Sequence, residues 1–164
     1  IAGLSMGGYG AMTLALQYPN IFAAAASHSG VLSPMEWAPA PFGRGPLTRS
    51  PSDSAAYVRM KAQSAARFRV TFGADSASWY ARDPATLAGH LVDAGRPLPA
   101  LFADCGVADF YLPQSRAFVE ALAARGVPVE YREWPGSHSW TYWHAHAPES
   151  LSWIAARIAA PAPR

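Results

Sequence analysis

The sequence predicts an α/β layered fold, a mostly parallel sheet flanked by helices, on three observations. Short apolar runs with strand character lie at residues 1–4, 21–27, 98–104 and 127–134. Segments with apolar residues at helical spacing separate them, and no internal repeat interrupts the alternation. Strands joined through helices pair in parallel, and such sheets gather ligands at the carboxyl ends of their strands.

The chain of 164 residues is 51% hydrophobic and 15% charged, which supplies apolar material for the core of one globular domain. Its net charge of +2 comes from 13 basic and 11 acidic residues without a like-charge run, which argues against nucleic acid or a polybasic membrane surface as partner. The single cysteine, Cys105, cannot form an internal disulfide. No stretch approaches the roughly 18 consecutive apolar residues of a transmembrane segment. Cellular location and oligomeric state stay open at this level. Residues 1–4 read as the end of an apolar strand without an initiator methionine. The expectation is therefore a single domain over residues 1–164, truncated at its N-terminus, with earlier strands and any signal peptide lying upstream.

Each element has its own signal. Residues 7–18 carry apolar side chains at helical spacing and stop at Pro19-Asn20. Residues 21–27 form an alanine-rich buried strand, ended by His28-Ser29-Gly30 and expected beside the first strand. From Leu32 to about Ser54 the chain holds Pro34, Pro39, Pro41, Pro46 and Pro51, too many for regular core elements, and reads as an excursion over the sheet top. Residues 55–66 suit a helix, residues 68–72 fit helix or strand, and Asp83-Pro84 opens a helix leading to Ala94-Gly95. A strand at residues 98–104, an amphipathic helix at 113–125 closed by Gly126, a strand at 127–134 and a final helix at 148–158 complete the alternation.

The first turn carries the strongest chemical signal. Gly3-Leu4-Ser5-Met6-Gly7 has the G-x-S-x-G pattern, with a strand before it and a helix after it. In that context the turn is so tight that glycine is expected on either side of Ser5, whose strained backbone exposes Oγ. Gly7 and Gly8 also let the helix approach the strand. The helix N-terminus offers free amides, and the Met6 N–H faces a developing oxyanion. The alternatives are a serine capping a glycine-rich helix or a phosphate-binding turn. A dinucleotide fingerprint needs a third glycine where Gly8-Tyr9-Gly10-Ala11-Met12-Thr13 has Thr13.

A serine hydroxyl needs a histidine to take its proton, and the histidine needs a carboxylate to fix its tautomer. In a fold with this turn the chain order is Ser, acid, His, with the latter two in loops after late strands. Asp109 lies just past the strand at 98–104, whereas Asp104 is still within it; Asp75 and Asp83 fall in the uncertain middle and Asp93 on a helix. The other reading of Asp109 is a helix-capping or turn residue. His138 follows the last strand. His28 also ends a strand but precedes the acid; it lines the pocket floor or packs structurally. His90, His144 and His146 read as surface residues. His138, His144 and His146 lack the H-E-x-x-H spacing of a zinc site, and no cysteine pair lies near, so no metal is expected.

With these positions in hand, the chain resembles the "Putative esterase" family of the α/β-hydrolases, also called the esterase D or antigen 85-like group. The likeness rests on Gly3-Leu4-Ser5-Met6-Gly7-Gly8-Tyr9-Gly10-Ala11, on residues 18–27 with Ser29-Gly30, on Asp104-Cys105-Gly106 with Asp109-Phe110, and on residues 131–136 with His138 and Trp140. It spans almost the whole chain except residues 34 to about 79. The resemblance implies the C-terminal part of an α/β-hydrolase fold and a Ser-His-Asp triad. Ser5 is then nucleophile, Asp109 acid, His138 base and Met6 one oxyanion donor, and the second donor comes from an upstream loop. Ser139 stands where many relatives have Asp, and Val107-Ala108 replaces a more polar pair.

The implied reaction is hydrolysis of a small-molecule carboxylic ester through an acyl-enzyme on Ser5, with no metal or organic cofactor. A thioesterase of the S-formylglutathione type and a mycolyltransferase-like acyltransferase are the alternatives. Tyr9, His28 and Trp140 are the candidate substrate-binding residues. Tyr9, Trp134, Trp140, Tyr142 and Trp143 form an aromatic wall or simply pack in the core.

Overall fold

Four strands, β1 (Ala2–Leu4), β2 (Ala24–His28), β3 (Ala100–Gly106) and β4 (Val129–Trp134), pair in parallel in chain order in the computed structural model. The described residues are 1–39, 41–43 and 55–159; Pro46 and Pro51 of the expected excursion lie outside them. Leu4, His28, Asp104 and Arg132 form one row across the sheet, so the loops that follow all four strands open at the same edge. The helices are α1 (Met6–Gln17), α2 (Ala55–Phe72), α3 (Ser76–Tyr80), α4 (Pro84–Asp93), α5 (Leu112–Ala123) and α6 (Trp140–Ala159).

Side chains alternate across a strand, and both faces of this sheet are covered. Ala25, Leu101 and Ala103 point to one face, where Met12 and Leu16 of α1, Ala88 and Leu91 of α4, and Phe118 and Leu122 of α5 close over them. Ala24, Ala26 and Phe102 point to the other face and meet Ile154 and Trp153 of α6. The alanines of β2 let helices approach from both sides. A separate aromatic cluster of Trp37, Phe72, Trp79 and Tyr111, with Tyr9, Phe68 and Phe110 against it, joins α2, α3 and the chain that follows β2. No helix among the described residues is long and apolar enough to cross a membrane.

Three expectations change. Val31, Leu32, Met35 and Trp37 are buried, and Pro34–Trp37 forms a 3-10 turn, so the start of the proline-rich stretch lies in the core. Proline is tolerated there because the first residues of a turn need no N–H partner. Residues 68–72 continue α2, since Phe68 and Phe72, one helical turn apart, pack together at 5.0 Å. The final helix begins at Trp140 rather than at Pro148 and carries Pro148 inside it. Burial of Ile154 and packing of Trp153 against the sheet hold α6 despite the missing N–H.

Candidate active site

Ser5 joins β1 to α1 with φ 53° and ψ −120°, a left-handed conformation that costs a non-glycine residue about 1–3 kcal/mol. Its amide donates to the His28 carbonyl at 2.8 Å. The crowding around this turn is not symmetric about the serine. A Cβ on Gly3 would collide with the Gly7 carbonyl, and one on Gly8 would stand 2.5 Å from Ser27 Oγ and 3.2 Å from Gly30 Cα, whereas Gly7 faces open space. Glycine is therefore demanded at 3 and 8 for close strand–helix approach, and the steric demand expected at 7 is absent. The bond from the Tyr9 N–H to the Ser5 carbonyl, 3.1 Å, leaves the Met6 amide ahead of the helical ladder. Met6 itself is exposed.

Asp109 and His138 come from the loops after β3 and β4. Asp109 is buried, its own N–H donates to the Gly106 carbonyl at 2.9 Å, and its Oδ1 accepts the Tyr111 N–H at 2.8 Å. Its oxygens lie 3.0 and 3.2 Å from His138 Nδ1, and His138 Nε2 lies 2.9 Å from Ser5 Oγ. A carboxylate only accepts, so the assigned tautomer has the proton on Nδ1 and leaves the Nε2 lone pair for the Ser5 hydroxyl. The imidazole is held on its faces and edges by Phe110 at 4.5 Å, Trp143 at 4.9 Å and Tyr111 at 5.2 Å between ring centroids.

A cavity of about 760 Å³ opens over Ser5 and His138. Tyr9, Phe68, Phe72, Phe110 and Tyr111 give it aromatic walls, and Arg67 and Thr71 add polar groups on α2. The Tyr9 hydroxyl donates to the Arg82 carbonyl at 2.8 Å, and burial is the main cause that pushes its pKa up to about 12, so it stays neutral. The α2 wall was not anticipated; the one-turn spacing of Phe68 and Phe72 is the signal in the sequence that marks it.

Two expected binding residues lie elsewhere. Trp140 is exposed and packs edge-on against Trp143 at 5.4 Å without lining this cavity. His28 is buried behind the site, with Nδ1 2.5 Å from Asp104 Oδ2 and Nε2 2.8 Å from Ser150 Oγ. Of the expected aromatic wall, Tyr9 lines the cavity, whereas Trp134 stacks on His146, Tyr142 donates to Asp104 and Trp143 donates to Ser29 Oγ. The early start of α6 causes this, because a helix turns successive side chains to different faces. Cys105 is buried and its thiol pKa is raised, chiefly by that burial.

Residues 1–154 match the family model described as "Putative esterase". The chain is 28% identical over 155 residues to an acetyl esterase of Caldicellulosiruptor saccharolyticus, covering 94% of this chain and 53% of that protein. It is similar in structure to an S-formylglutathione hydrolase from Agrobacterium tumefaciens, with TM-score 0.69, 26% identity, and coverage of 96% of this chain and 48% of that one. A fluorophosphonate-binding serine hydrolase of Staphylococcus aureus shares the fold, with TM-score 0.66, 23% identity, and coverage of 94% and 52%. The chain spans about half the length of the relatives it matches.

Proposed function

This chain belongs to the "Putative esterase" family, and we propose that the protein is a serine-dependent hydrolase of carboxylic esters, with Ser5 as nucleophile, His138 as base and Asp109 as its orienting acid. The observation that carries this reading is the continuous path from Asp109 through His138 to Ser5 Oγ, ending in the wall of an open cavity.

In the first step Ser5 Oγ attacks the ester carbonyl while its proton passes to His138 Nε2. Asp109 stabilises the imidazolium that forms. The Met6 N–H donates to the oxyanion of the tetrahedral intermediate. Collapse expels the alcohol, which takes the proton from His138 and leaves an acyl group on Ser5. Water then attacks that acyl carbon, giving its proton to His138 Nε2, and Ser5 recovers the proton as the carboxylic acid departs. The apolar, aromatic cavity walls suit an ester with a bulky apolar group better than one recognised by charge.

A fluorophosphonate probe tests the assignment in the intact protein. Stoichiometric labelling at Ser5, with loss of p-nitrophenyl ester turnover, is expected; turnover that persists after Ser5 is fully labelled rejects it. Likeness to the A. tumefaciens S-formylglutathione hydrolase favours a thioester as the second reading. A kcat/KM for S-formylglutathione well above that for p-nitrophenyl esters selects it.

A further inference from the structure

Behind the cavity lies a second Asp-His-Ser row, formed by Asp104, His28 and Ser150, each nearly or completely buried. The Ser150 hydroxyl donates to the Ala147 carbonyl at 3.0 Å, and its oxygen lies 2.8 Å from His28 Nε2. On the other side of the ring, Nδ1 lies 2.5 Å from Asp104 Oδ2. The other Asp104 oxygen accepts the Tyr142 hydroxyl at 2.9 Å. Ser150 is completely buried and does not line the cavity over Ser5, which excludes it as the nucleophile of that site.

The pair nevertheless touches every element that carries a reacting group. The His28 carbonyl is the acceptor for the Ser5 amide. Ser29, the next residue, is held at φ 50°, with its N–H donating to the Asp104 carbonyl at 2.8 Å and its Oγ accepting the Trp143 Nε1–H at 3.2 Å. Trp143 stands edge-on to the His138 ring, and Tyr142 lies four residues past His138. Asp104 precedes Asp109 by five residues in the same strand and loop. Two strained serines and the imidazole wall are thus tied to one buried His–Asp contact.

We propose that the buried His28–Asp104 pair is a positioning element for the esterase reaction, fixing the Ser5 backbone and, through Tyr142 and Trp143, the orientation of His138. The inference rests on the assignment of Ser5 and His138 above. A displacement of about 1 Å at a reacting group costs about 10²-fold in rate, so Asp104→Asn and His28→Gln each lower kcat by about that factor while KM changes little. Fluorophosphonate labelling of Ser5 slows in parallel.

The experiment compares kcat, KM, labelling rate and thermal unfolding in the intact protein and its variants. Tyr142→Phe keeps the pair and removes one hydrogen bond, which guards against a variant that does not fold; it is expected to lose about tenfold in kcat. Wild-type kcat in Tyr142→Phe or in a cooperatively folded Asp104→Asn overturns the proposal. A wild-type protein that neither cleaves esters nor labels at Ser5 defeats the esterase reading, and this proposal with it.

Discussion

The molecule contains the same three residue types in the same contact order twice, and proton direction separates them. In the row Asp109–His138–Ser5 the serine hydroxyl has His138 Nε2 as its acceptor and faces a cavity. In the row Asp104–His28–Ser150 the serine hydroxyl is committed to a backbone carbonyl, and Ser150 is buried. The serine of the first row opens to the cavity, and the serine of the second is sealed away from it. A cluster of Ser, His and Asp is therefore identified by where its protons point and what its serine can reach, and residue types alone do not decide it.

Substitutions that break one row and spare the other sharpen this contrast. Ser5→Ala or His138→Ala is expected to lower kcat by about 10⁶, and the double variant to be hardly worse, because the groups act as a unit. Ser150→Ala leaves the buried His28 Nε2 without its hydrogen-bond partner, which lowers unfolding free energy by about 1–3 kcal/mol in urea denaturation. Its loss of turnover stays at or below the roughly 10²-fold of a positioning contact. Equal losses of kcat from Ser5→Ala and Ser150→Ala would erase the distinction. Asp109→Asn is expected to cost about 10⁴ in kcat by favouring the wrong His138 tautomer. Steady-state kinetics showing Asp104→Asn to be worse than Asp109→Asn would exchange the roles of the two acids.

Smaller effects come from the supports of each row. Gly3→Ala drives a methyl group into the Gly7 carbonyl and should destabilise by about 1–3 kcal/mol, whereas Gly7→Ala meets open space and should stay within about 0.5 kcal/mol by thermal unfolding. Glu133 provides a half-buried counterpart of the fully buried Asp104. It accepts from Arg116 Nε and Nη2 at 2.8 and 2.7 Å, and this guanidinium is the main reason its pKa is lowered. A carboxylate with a depressed folded pKa contributes stability above its unfolded value, about 4.3, and loses that contribution as pH falls through the lower folded value. Glu133→Gln is thus expected to cost at most about 1 kcal/mol at pH 7, and denaturation below pH 4 should show the two proteins converging.

Legibility in the sequence follows the range of the forces involved. The β1–turn–α1 unit is readable because Gly3 meets a local steric demand, the Gly7 carbonyl four residues on. The strands at β2, β3 and β4 are readable from short apolar runs, to within a few residues at their starts. Met35, Trp37, Phe68 and Phe72 are read poorly, because their packing depends on Trp79 and Tyr111, which come later in the chain. Pro148 misplaces the start of α6, since a residue that ends isolated helices is tolerated where tertiary packing holds the flanks.

By itself, the sequence determined the alternation of strands and helices, the tight turn that presents Ser5, and a chain order that singles out Asp109 and His138. Only the tertiary structure decided that His28 turns inward to Asp104, that Trp140 faces outward, and that Phe68 and Phe72 wall the cavity. The physical reason is distance along the chain. Periodicity and turn chemistry act over a few residues, whereas Ser5 meets His138 across 133 residues and His28 meets Ser150 across 122, and contacts of that kind are chosen by how whole layers pack.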